Sequence, residues 1–221
     1  MCLFLIFGLT ACSGGSAPPK KIEPIDIITE KISTTNLSIP DNRFSNNYEI
    51  LIFGNSHTYG LGNIIKTLIS VGNPYAAINI KSAGGGFLDN IATKQAREIL
   101  LESQAWTHII LQGQKYSQSG AYTHPTTSSK LWIAKAKENN ITPILFPEHP
   151  RKGNKEEGAR VHQIHMGIAA SQRACVAPIG LAWDNLLAVQ PQIPLHSNDG
   201  NHASFLGKLF TAYIFYEIIT G

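Results

Sequence analysis

The chain has 221 residues, 43% of them hydrophobic and 15% charged, with a formal net charge of +3. That length suits one α/β domain with a sizeable core, and the composition is that of a globular protein. The small net charge and the absence of any Lys/Arg block exclude the electrostatic footprint of a nucleic-acid partner or of a basic membrane-binding patch.

The first segment, "MCLFLIFGLTAC" (residues 1–12), is apolar and ends in Leu9-Thr10-Ala11-Cys12. A bilayer needs about 20 apolar residues, so this stretch is too short to span one. It reads as the apolar core of a secretory signal with a small-residue cleavage site. The Leu-Thr-Ala-Cys ending resembles a bacterial lipobox. The resemblance implies cleavage before Cys12, lipid attachment to Cys12, and a place in the bacterial cell envelope, facing the periplasm or the cell surface. Residues 13–47 are rich in Ser, Pro, Thr, Asn and Lys, the composition of a flexible tether. The folded domain is expected over residues 48–221.

Short apolar runs then alternate with longer amphipathic ones. The pattern predicts strands over 48–54, 76–83, 107–113, 141–149 and 174–180, the last with Cys175 as a buried core residue. Helices are expected over 63–72, 87–104, 128–140, 156–172 and 204–221. In the second of these, Leu88, Ile91, Ala92, Ile99 and Leu100 fall mostly on one face. Alternating strands and helices imply a mainly parallel five-stranded sheet in a three-layer α/β/α sandwich. In such sheets, sites gather at the carboxyl ends of the strands. The polar tips there are Gly54-Asn55-Ser56, Ser82 with the glycines after it, Gln112-Gly113-Gln114, and Glu148-His149.

"LIFGNSHT" sets Ser56 at the end of the first strand. A serine hydroxyl becomes a useful nucleophile only when a base takes its proton, and the base is most often a histidine oriented by a carboxylate. "HSNDGNHAS" (196–204) offers Asp199 and His202, three apart in a turn before the closing helix. Taken alone, that spacing also fits a helix N-cap, with Asp199 or Ser204 capping. The glycines at 84–86 fit either a βα turn or a close approach of backbone to a ligand.

Together these pieces resemble the SGNH (GDSL-like) hydrolase superfamily. "FGNSHT" is similar to its nucleophile block, with Asn55 where most members carry aspartate. "SAGGG" is similar to the glycine block, and "SNDGNHAS" to the final block. The likeness spans residues 48–221. It implies a flavodoxin-like SGNH hydrolase fold and a serine esterase. Ser56 would be the nucleophile, His202 the general base and then acid, and Asp199 its partner. The oxyanion hole would use the Ser56 amide, a glycine amide near Gly85, and a side-chain donor from the third block. That block usually carries asparagine; this chain has "LQGQKYS", so Gln112 or Gln114 is expected to supply the amide.

His57, Trp183 and His196 are candidate substrate contacts, the last also as a shaper of its loop. Trp132, inside an amphipathic helix, is expected in the core. His149, His162 and His165 could share a metal, but no H-E-x-x-H motif supports a site, so neither metal nor organic cofactor is expected. The expected partners are a small-molecule or glycan ester with an acetyl or short acyl group, and the membrane through the Cys12 lipid. A non-catalytic carbohydrate-binding relative is the alternative reading.

Overall fold

Four consecutive side chains of the first strand, Ile50, Leu51, Ile52 and Phe53, are wholly buried. That is the mark of a central parallel strand covered on both faces. The computed structural model describes Asn42 and residues 44–221. The segment 1–12 with Cys12, and nearly all of the expected tether 13–47, lie outside the described residues.

The strands are β1 (Asn47–Phe53), β2 (Ala77–Ala83), β3 (His108–Gln112), β4 (Thr142–Phe146) and β5 (Cys175–Val176). The helices are α1 (Leu61–Gly72), α2 (Ile91–Glu102), α3 (Thr127–Glu138), α4 (Glu157–Ser171), α5 (Ile179–Val189) and α6 (Phe205–Thr220). The sheet runs β2-β1-β3-β4-β5 with every pair parallel. Period-two alternation splits its side chains between two cores. Ile50, Ile52, Ile110, Ile144 and Phe146 meet α1, α5 and α6 on one face. Leu51, Phe53, Ile109, Leu111 and Leu145 meet α2, α3 and α4 on the other, where Trp132 is buried against the Phe53 ring. The three-layer parallel sandwich is therefore as expected.

Two elements differ from the sequence pattern. The fifth strand is only two residues long, and Cys175 is buried on it. Pro178, which lacks an N–H for the ladder, stops the strand and leads straight into α5, a helix the apolar run had concealed. In α2 the buried residues are Arg97 and Leu101, whereas Ile91 and Ile99 are 87% and 63% exposed. The apolar face expected there is not the buried one, because a guanidinium occupies the inward stripe. Leu88 is buried, but in the loop that precedes the helix.

The strand order reverses direction between β1 and β3. In such sheets the crevice at the carboxyl ends of those two strands is the usual ligand position.

Candidate active site

β1 ends at Phe53, and Gly54-Asn55 lead into a single 3-10 turn, Ser56–Thr58. Asn55 caps that turn, its Oδ1 accepting from the His57 amide at 3.0 Å. Ser56 is left exposed at the crevice. From the other end of the chain, the loop before α6 is closed by a bridge between His196 and Ala203 and by the Ser197 amide donating to His202 O. Within it Asp199 Oδ1 accepts from the amides of Asn201 and His202 and from Ser197 Oγ. Ser204 caps α6, accepting from the Gly207 amide.

These two turns meet. Ser56 Oγ lies 2.8 Å from His202 Nε2, and His202 Nδ1 lies 2.5 Å from Asp199 Oδ2. The hydrogen bond from His202, then those from Ser197 and the two amides, hold the Asp199 carboxyl well below the ordinary carboxylate range. Asp199 is thus ionised and fixes the proton on Nδ1, which leaves the Nε2 lone pair to accept from the Ser56 hydroxyl. Such a line can draw a proton from serine and hand it on. Of the alternatives the spacing left open, Ser204 takes the cap and Asp199 takes the imidazole.

The third block does not fill its expected role. Gln112 is fully buried; its Oε1 accepts from the Asn55 amide at 2.7 Å and its Nε2 donates to Glu148 Oε1 at 2.8 Å. Gln114 Nε2 donates to the carbonyls of Lys115 and Pro125, and its Oε1 accepts from Ser129 Oγ. Gln112 is wholly buried and Gln114 spends its Nε2 protons on two carbonyls, so neither side-chain amide is presented to the crevice. Gln112 instead holds the backbone under the turn that carries Ser56. Among the described residues, the amides of Ser56 and Gly85 donate to no protein group.

Of the three candidate substrate contacts, Trp183 is buried away from the crevice, and His57 and His196 take part in hydrogen-bonded or stacked clusters beside Ser56 and Asp199. Trp183 is wholly buried, donates to Thr211 Oγ1, and stacks on the His149 ring at 4.0 Å; it is core. The His57 side chain is 7% exposed and lies between His202, stacked at 5.1 Å, and Glu148 Oε2, 3.4 Å from its Nε2. Burial, and then the neighbouring His202, push His57 down to about 4, so it is neutral beneath the imidazole of His202. A charged ring there would oppose proton uptake by His202. His196 Nε2 donates to Pro150 O at 2.7 Å and anchors its loop, the shaping role expected of it. His149, His162 and His165 form no ligand set; among the described residues no group of three His, Cys, Asp or Glu is arranged to hold a metal ion.

Two residues at the site escaped the sequence reading. Glu148, noted only as a strand-tip residue, is buried and raised to about 7 by that burial, partly offset by the Gln112 hydrogen bond. Arg97 lies under the glycine loop. On its helical stripe the neighbours are Thr93, Lys94, Leu100 and Leu101, a mixed pattern that gives no signal of an inward cation. Beside Asp199 an open cleft of about 720 Å³ is lined by residues 151–156 and 199–201.

No family model and no curated protein matches the sequence. Solved structures do match. An SGNH-hydrolase candidate from Slackia heliotrinireducens superposes with a TM-score of 0.63 at 19% identity, over 79% of this chain and all of that one. A variant of Axe2, an acetyl xylan esterase from Geobacillus stearothermophilus, gives 0.62 at 13% identity, over 79% of this chain and 94% of its own. The esterase EstA from Pseudoalteromonas sp., in a structure inhibited by monoethylphosphonate, gives 0.56 at 17% identity, over 79% and 96%. This chain therefore has the fold of the SGNH hydrolases.

Proposed function

We propose that this chain, with the fold of the SGNH hydrolases, is a serine ester hydrolase. The observation that carries the reading is the unbroken line from Ser56 Oγ to His202 Nε2 to Asp199 at the carboxyl edge of the sheet. As His202 Nε2 takes its proton, Ser56 Oγ bonds to the ester carbonyl carbon, giving a tetrahedral oxyanion. Collapse breaks the carbon–oxygen bond to the alcohol, which leaves with the proton from His202. Water, deprotonated by the same nitrogen, then attacks the acyl carbon; the second tetrahedral species collapses by breaking the bond to Ser56 Oγ, which takes the proton back from His202 as the acid is released. The Ser56 and Gly85 amides are the donors for the oxyanion.

The substrates are acetyl or short acyl esters, including esters on carbohydrate. The acetyl xylan esterase among the structural neighbours supports that class. The N-terminal sequence supports a reading in which the chain is exported, lipidated at Cys12 and held at the cell envelope. Labelled fatty acid should enter the wild-type chain in a bacterial host and be lost on Cys12→Ala.

The commitment of Gln112 and Gln114 elsewhere favours a second reading, a non-catalytic carbohydrate-binding relative, because a third oxyanion donor is then missing. Hydrolysis of p-nitrophenyl acetate by the purified domain, with Ser56→Ala as control, separates the two. Wild type should turn over, be labelled by a fluorophosphonate, and ignore EDTA. Equal rates for wild type and Ser56→Ala sink the esterase reading.

A further inference from the structure

α2 turns a guanidinium into the protein on the side away from Ile91, Ala92 and Ile99. Arg97 is 1% exposed. Its Nη2 donates to the carbonyls of Gly54 at 3.3 Å, Gly84 at 3.4 Å and Gly86 at 3.1 Å, and its Nη1 to that of Phe87 at 3.0 Å. The Phe53 ring lies 5.3 Å from its central carbon. Among the described residues no carboxylate pairs with it, and its Nε has no hydrogen-bond partner. A buried cation met by backbone carbonyls and one aromatic ring, with no counter-charge, is an expensive arrangement.

All four carbonyls belong to two segments, the turn that carries Ser56 and the glycine loop. Among the described residues every peptide bond is trans, and in a planar trans peptide the C=O and N–H point in opposite directions. A carbonyl drawn toward Arg97 therefore turns the N–H of its own peptide away from Arg97. Opposite the Gly54 carbonyl is the Asn55 amide, which donates to Gln112 Oε1. Opposite the Phe87 carbonyl is the Leu88 amide, which donates to Gly113 O at 2.9 Å. Both tie the segments to the end of β3. Opposite the Gly84 and Gly86 carbonyls are the amides of Gly85 and Phe87, which donate to nothing among the described residues. Gly85 and Gly86 have φ of +107° and +105°, a backbone course that L side chains rarely adopt.

We propose that Arg97 is a positioning residue for the hydrolysis: by gripping the Gly54 and Gly84 carbonyls from behind, it aims the Gly85 amide at the oxyanion formed next to Ser56. The proposal rests on the esterase reading. Its charge, one peptide behind the donor, also polarises that N–H as negative charge develops in front of it.

The test uses the whole domain and compares wild type, Arg97→Lys and Arg97→Met for p-nitrophenyl acetate turnover, fluorophosphonate labelling rate and thermal midpoint. Arg97→Met should lose about 10²–10³ in kcat, the usual cost of an oxyanion donor, with KM within about twofold and labelling slowed in parallel. Arg97→Lys keeps the charge without the fork and should fall between. A purely structural role would lower the thermal midpoint and leave kcat per folded molecule at the wild-type value, which overturns the proposal. Should Arg97→Met fail to fold, Arg97→Lys decides. Wild-type kcat in that variant overturns the proposal, and a fall of about tenfold or more at unchanged KM supports it. Ser56→Ala retaining the rate would sink the esterase reading itself; an inactive Ser56→Ala beside a fully active Arg97→Met sinks only the role of Arg97.

Discussion

Gln112 Oε1 occupies the space that a side chain at Gly54 would need. A Cβ on Gly54 would come within 2.5 Å of that oxygen and equally close to Thr58 Cγ2. The glycine before Ser56 and the glutamine at the end of the third strand are thus one device, although Asn55 and Gln112, which the hydrogen bond joins, are 57 positions apart. Gly54→Ala should push Gln112 off the Asn55 amide. The expected cost is about 1–3 kcal/mol of stability from overpacking, and about 10–100-fold in turnover from the displaced nucleophile. Urea unfolding and active-site titration, measured on the same preparation, check both.

Glu148 holds the far end of Gln112 and faces His57 Nε2. Glu148→Leu should strand the Gln112 amide and lower kcat about tenfold or more. Glu148→Gln keeps an acceptor for Gln112 and should lose much less. Equal kcat for the two folded variants would show that the hydrogen bond to Gln112 does not matter to the reaction.

Asp199 sets the tautomer of His202. Asp199→Asn can still accept from the amides of Asn201 and His202, so the loop should persist. Its Nδ2 would face His202 Nδ1 and move the ring proton to Nε2, where it can no longer accept from Ser56. Turnover should fall by about 10³–10⁴ with little change in thermal midpoint. Steady-state kinetics and a melting curve are the measurements.

Trp183 is a packing residue. Trp183→Phe leaves a void beside His149 and an unanswered Thr211 hydroxyl, costing about 1–3 kcal/mol. KM for acetyl esters should stay at the wild-type value. A raised KM with unchanged stability would return Trp183 to the substrate.

Burial keeps four histidines neutral: His57, His108 and His165 are pushed down to about 4, and His149 to about 3. Between the ordinary histidine value of 6.5 and those depressed values, the unfolded chain binds more protons than the folded one. Stability must then fall as pH drops through that window. Glu148, raised by burial to about 7, and Asp184, raised by burial to about 6, act in the opposite sense; these carboxyls take protons first in the fold and favour it as pH falls. His162, which burial also lowers, adds to the first group, and five against two leaves a net loss toward acid. Urea-derived stability should decline from pH 6.5 to 4.5, and His165→Gln should flatten the decline by nearly one proton.

Much of this was legible in one dimension. Strand and helix alternation, the apolar strands and the polar tips follow from local burial needs, and they fixed a parallel three-layer sandwich with its site on one edge. Ser56, Asp199 and His202 were visible because each sits in a short motif whose chemistry is local. What the sequence could not decide was where long side chains end. Gln112 and Gln114 differ by two positions, and either could have reached the oxyanion; only the packed neighbours Glu148, Asn55, Ser129 and Pro125 show that both are spent elsewhere. His57, Trp183 and Arg97 follow the same logic. Their surroundings come from segments far apart in the chain, and a residue's role in a buried network depends on partners that only the folded arrangement brings within hydrogen-bond reach.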